Sequence, residues 1–183
     1  MGGWTRIDRP VLQAECEATD PDDHLTGAAT AQSLQLDLAR RKAVERARAD
    51  LLAQIESSVQ TYFGENREEQ LSDAFEGAQA GQVADSVATE ITRAAGASIG
   101  GARPVRCDLF RRGTGDSTFY MADYQLGVPV GELGAEWAER VRRNPSLSGV
   151  LDRSETEALI RRWAQWALTR NTNLNGEAEK SER

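Results

Sequence analysis

Between Ser33 and Phe63 apolar side chains return every four residues, at Ala39, Ala43, Ala47, Leu51, Ile55 and Val59, with Leu36, Val44 and Leu52 flanking the same stripe. No Gly or Pro interrupts the run, so the pattern predicts one long amphipathic helix. Its first half offers alanines and its second half larger aliphatic groups. The first half can therefore approach a sheet closely while the second fills a wider gap. At about 1.5 Å per residue such a helix is roughly 40 Å long, against roughly 17–20 Å for a typical strand, so one end is expected to overhang the sheet. The overhanging end, near Tyr62 and Phe63, is a candidate partner surface.

A period of two marks the strands. Val105, Cys107 and Leu109 alternate with Arg106, Asp108 and Phe110, and Thr118, Tyr120, Ala122, Tyr124 and Leu126 alternate on a return strand after the Gly-rich GTGD. This predicts a hairpin with one face on the long helix and the other, holding Arg106, Asp108, Asp123 and Gln125, in water. Ahead of the helix, DHLTGAAT follows the turn-forming DPDD and reads as a third strand, with Gly27 letting the backbone pass close to the helix. The segment Gly64–Gly81 reads as polar and loop-like with room for one short helix, and Gln82–Thr92 is ambiguous between strand and helix. Glu132–Arg143 is helical before Pro145. Ser154–Thr169 is helical too, with Ser154 and Glu157 in capping-box spacing and Leu159, Ile160, Trp163, Trp166 and Ala167 on one side. The fold class expected is α+β, a long amphipathic helix on a small antiparallel sheet with C-terminal helices. The expected division is an N-terminal arm over 1–22, the α+β domain over 23–130, a helical extension over 131–169 and a disordered tail over 170–183.

Charge narrows the partners. The 183 residues carry a formal net charge of −7, which argues against nucleic acid, because phosphate binding needs clustered Lys and Arg. The cluster Arg40, Arg41, Lys42, Arg46 and Arg48 has Asp37, Glu45, Asp50 and Glu56 among it and reads as a solvated helix face. No stretch approaches the roughly 20 apolar residues of a membrane span. Cys16 and Cys107 stand in no metal-binding or redox spacing. They are two isolated buried thiols, or a single bridge from the N-terminal arm to a strand, which requires an oxidising compartment.

Catalytic motifs fail one at a time. His24 is the only histidine, with nothing nearby to complete a triad or a metal cluster. DPDDH lacks the Gly and Glu that a calcium loop needs at its sixth and twelfth places, where Leu25 and Ala31 stand. GTGDS lacks both the P-loop ending and the serine elbow and reads as a hairpin turn. GASIGGARP lacks dinucleotide spacing and reads as a tight entry into the next strand. Glu68 and Glu69 read as surface charge. Trp163 and Trp166, beside Arg161 and Arg162, either pack their helix onto the domain or form a partner-binding face.

Four pieces of this pattern go together: an early Trp4; the short strand LTGAAT; the helix ARRKAVERARADLLAQI over Ala39–Ile55; and GGARPVRCDLFRRGTGDSTFYMADYQLGVP over Gly100–Pro129. In them the stretch from Trp4 to about Val130 resembles the LPP-twenty type of small bacterial envelope lipoproteins and the related N-terminal domain of flagellar assembly protein T. The resemblance implies a helix on a small antiparallel sheet, no enzymatic activity, no cofactor and a lipid-anchored life in the bacterial envelope. The chain departs from that pattern by opening on MGGW without a leader or lipidated cysteine, so these are expected to be encoded upstream. The function expected is a non-catalytic periplasmic or outer-membrane-associated structural or assembly domain acting through a protein partner. The alternative is a cytoplasmic small-ligand or regulatory module using the space between sheet and helix.

Overall fold

The four-residue recurrence folds as one helix, α1 (Leu36–Glu65), in a computed structural model that describes residues 3–7, 23–65, 78–114, 117–145, 147 and 152–181. Around it come strands β1 (Thr5–Arg6), β2 (His24–Ser33), β3 (Arg103–Arg112) and β4 (Phe119–Pro129), and helices α2 (Ala78–Ser98), α3 (Val130–Arg143) and α4 (Arg153–Ser181). The fold is α+β, with a four-stranded antiparallel sheet in the order β1-β3-β4-β2, α1 packed on it, and C-terminal helices. The chain forms two compact units. Met1–Ala53 and Ile99–Val128 make the sheet unit; Gln54–Ser98 and Pro129–Arg183 make the helical unit.

α1 contributes to both. Ala39, Ala43, Ala47 and Leu51 are fully buried in its first part, and Ile55, Val59, Tyr62 and Phe63 are buried in its last turns. The alanines and Leu51 belong to the sheet unit, and Ile55, Val59, Tyr62 and Phe63 to the helical unit.

In the sheet unit β2 lies against α1 backbone to backbone. A Cβ on Gly27 would stand 2.3 Å from the Leu51 nitrogen and 2.6 Å from the Ala47 oxygen, so only Gly fits there. At Gly27 strand and helix leave no room for a ligand between them. β2 is an edge strand, and two side chains of α1 bond its backbone: the Ala28 N–H donates to Asp50 Oδ2 at 2.9 Å, and Arg46 Nη1 donates to the Thr30 carbonyl at 3.3 Å. Such bonds leave less of the edge open to another strand. On the α1 side of the hairpin Val105, Leu109, Ala122, Tyr124 and Leu126 are buried, and Arg40 Nε donates to the Tyr124 hydroxyl at 3.1 Å. β3 and β4 pair from Arg112↔Phe119 to Arg103↔Gly127, with an irregularity between Pro104 and Arg106, where a residue lacking an N–H is tolerated. Gly113 turns the hairpin with a φ of 96°, the left-handed region that favours Gly.

Two features of this unit depart from the sequence pattern. The N-terminal arm contributes a strand to the sheet, a segment the sequence pattern did not mark: Thr5 pairs with Arg111, Arg6 pairs with Phe110, and the Ile7 N–H donates to the Leu109 carbonyl at 2.7 Å. Residues 8–22 of the arm lie outside the described residues. The face opposite α1 is not uniformly wet. The Asp108 side chain is only 11% exposed, bridged by Arg6 and Arg106.

In the helical unit the ambiguous Gln82–Thr92 is helix, and that helix begins at Ala78 within the segment expected to be loop-like. Val83, Ala84, Val87, Ile91, Ala94 and Ala95 are buried at three- and four-residue spacing, which outweighs the strand preference of the β-branched residues. The rest of the loop-like segment, 66–77, lies outside the described residues. α3 packs against α2 and α4, burying Leu133, Trp137 and Ala138. α4 is capped by Asp152 and Glu155 rather than by Ser154 and Glu157. The Glu155 N–H donates to Asp152 Oδ1 and the Asp152 N–H donates to Glu155 Oε2, both at 2.8 Å. α4 also runs to Ser181, through most of the segment expected to be a disordered tail. No Pro stops it, and each added helical residue gains a hydrogen bond once the helix is nucleated.

Candidate functional site

The aromatic residues singled out as partner contacts lie together in the helical unit. Tyr62 is 3% exposed and Phe63 4%, with rings meeting edge-to-face at 5.1 Å. Tyr62 also packs on Trp166 at 5.4 Å. Trp163 is 1% exposed and lies 4.9 Å from Trp137, and both indole N–H groups are buried without a hydrogen-bond partner among the described residues. Trp166 is half-buried, with the Arg170 guanidinium 5.0 Å from its ring. The overhang proposed as a contact surface is thus covered within its own unit, and Tyr62, Phe63 and Trp163 present no surface to a partner. Burial pushes the Tyr62 hydroxyl above its ordinary pKa, an effect that Arg162 partly offsets. The sequence showed the aromatic side chains; that Tyr62 meets Trp166, about a hundred residues later, had no local signal.

His24 is buried in β2 and packs by Gly127, where a Cβ would stand 3.1 Å from His24 Cβ and Cδ2. Among the described residues no three His, Cys, Asp or Glu side chains gather to hold a metal, and no helix is long and apolar enough to cross a membrane. Cys107, half-buried on β3, is disulfide-bonded; Cys16 lies outside the described residues. A cleft of about 710 Å³ in the helical unit is lined by Glu90, Arg93, Glu136, Glu139, Arg140 and Asn144, among others. Its charges pair with one another. Glu90 accepts from Arg93 and, at 2.9 Å, from Asn144 Nδ2; Arg140 bonds Glu136 at 3.1 Å; and Arg142 and Arg143 both reach Glu139. Most of these partners are well exposed, where such pairs are worth about 0–1 kcal/mol.

The remaining concentration of chemistry lies in the sheet unit, on the face opposite α1. Register places Arg112 beside Phe119, Phe110 beside Met121, Asp108 beside Asp123 and Arg106 beside Gln125. Arg6 of β1 stands next to Phe110. Thr30 Oγ1 donates to Asp123 Oδ1 at 3.1 Å and Gln125 Nε2 donates to Thr26 Oγ1 at 3.1 Å, so β2 joins the same polar rows. Carboxylates directly opposite one another repel; Arg6, Arg106 and Thr30 offset that repulsion here. Comparison with protein-family models, curated proteins and solved structures finds no match for this chain.

Proposed function

We propose that this protein is a non-catalytic structural or assembly domain of the bacterial envelope, periplasmic or outer-membrane-associated, that works through contact with another protein. One observation carries the reading: Cys107 is disulfide-bonded, and such bonds persist in oxidising compartments and are rare in the cytosol. The reading assigns Cys16, the only other cysteine of the chain, as its partner. The resemblance of Trp4 to Val130 to envelope lipoproteins points the same way, and adds a lipid anchor. A second reading, a small-ligand module, draws on the cleft at Glu90 and Asn144. It is the weaker one, because the charges of that cleft already satisfy each other.

Cell fractionation of the native gene product, with intact-mass analysis and thiol alkylation before and after reduction, tests the proposal. Recovery in the envelope, with both cysteines alkylated only after reduction, is the expected result. A cytosolic protein with both thiols free would overturn it and favour the ligand module.

A further inference from the structure

We propose that the sheet face opposite α1 docks an acidic, partly apolar segment of a partner protein. The proposal rests on the protein-contact reading above and gives that contact a place. Paired residues of neighbouring strands share a face, as do residues two apart on one strand. Trp4, Arg6, Phe110, Arg112, Phe119 and Met121 therefore project together. Phe119 is 43% exposed, the Arg6 side chain is 63% exposed, Arg112 is exposed, and Trp4, Phe110 and Met121 are half-buried. The Arg112 guanidinium lies 5.6 Å from the Trp4 ring. The solvent face of an antiparallel sheet is ordinarily polar. Trp, Phe, Met and Arg are instead the types enriched in interface cores.

Charge selects the partner. On this face β1 and β3 carry Arg6, Arg103, Arg106 and Arg112, all exposed, against the single carboxylate Asp108, which Arg6 and Arg106 bridge, in a chain whose net charge is −7. A partner presenting carboxylates beside apolar side chains complements this strip. A nucleic-acid strand fits less well, because its evenly spaced phosphates would have to pass Asp108 and Asp123, which stand opposite each other on the same face, whereas a protein segment can set carboxylates beside Arg112 and neutral or apolar side chains beside the aspartates. A bilayer fits less well because it would strip water from Asp123 and Gln125 without supplying donors and acceptors in return. A protein segment supplies both.

Two-dimensional NMR of the full chain tests this with four probes: a peptide of alternating Glu and Leu, its Lys-for-Glu counterpart, oligothymidylate, and phosphatidylglycerol vesicles. The Glu–Leu peptide is expected to shift the amides of Arg6, Phe110, Arg112, Phe119 and Met121. Phe119→Ala and Arg112→Gln, read separately at exposed positions, are each expected to weaken binding by roughly fivefold to tenfold while leaving other amides in place. The proposal is overturned if the acidic peptide leaves these amides unmoved, if the Lys–Leu peptide binds as tightly, or if oligothymidylate or vesicles shift them instead. Self-association through the face, lost on Phe119→Ala, would replace the acidic partner with a second copy. An unmoved face in a protein still recovered from the envelope would sink this inference alone; a cytosolic location would sink the reading beneath it.

Discussion

The sheet unit and the helical unit close their cores by different means. The sheet unit works by closeness: Gly27, Ala39, Ala43 and Ala47 bring β2 and α1 together, and Asp50 and Arg46 on the helix bond backbone groups of the strand. The helical unit works by bulk: Trp137, Trp163, Tyr62 and Phe63 fill the space around α3 and α4 at the cost of two buried indole N–H groups without partners among the described residues. Removing volume should therefore harm one unit, and adding it should harm the other.

The largest effect is expected from the helical unit. Trp163→Ala should lower unfolding free energy in urea by about 3–5 kcal/mol, since the void sits against another indole. A loss below about 1 kcal/mol would show that the Trp pair is not its core. The sheet unit should fail in the opposite direction. Gly27→Ala adds a methyl group that meets helix backbone and should cost about 3 kcal/mol. Gly96→Ala in α2 has open space around it and should instead stabilise by about 0.5–1 kcal/mol. If the two glycine variants shift the urea midpoint the same way, the contrast between the units is broken. Asp152→Ala should cost about 1 kcal/mol through loss of the reciprocal cap on α4.

The smallest effect is one of pH. Burial holds Tyr62 above the ordinary value of about 10. As pH rises past that value the unfolded chain loses its proton before the folded one does, so stability falls. The contribution is whole below about pH 10 and is lost as pH climbs through the folded-state value. Tyr62→Phe should flatten this alkaline decline of the urea midpoint; an unchanged slope would mean that the hydroxyl is not held by burial.

Much of the sheet unit was legible in the chain. The hairpin, the strand at LTGAAT and the close approach at Gly27 all have local signals: period two, a Gly-rich turn, small residues facing an alanine stripe. β1 was not legible, because two residues carry no period and Thr5–Arg6 becomes a strand only by pairing with β3. The candidate site was less legible still. Trp163, Tyr62 and Phe63 look alike in sequence whether they face solvent or one another, and burial chose the second. In sequence the outer face of the hairpin reads as polar, at Arg106, Asp108, Asp123 and Gln125; that Trp4 and Arg6, Phe110 and Arg112, and Phe119 come together on it is decided by register between separate strands.

By itself the sequence determined what depends on neighbours along the chain: the length of α1, the grading of its stripe from alanine to larger residues, the hairpin and its turn. Propensity, hydrophobic period and backbone freedom act over a few residues, and these features need nothing more. Only tertiary structure decided what depends on distant partners. It settled Gln82–Thr92 as helix, capped α4 at Asp152, buried the aromatic end of α1 and gathered the Arg-rich face. The reason is physical: which apolar surface loses water, and which charges end up side by side, is set by the packing of whole elements against one another.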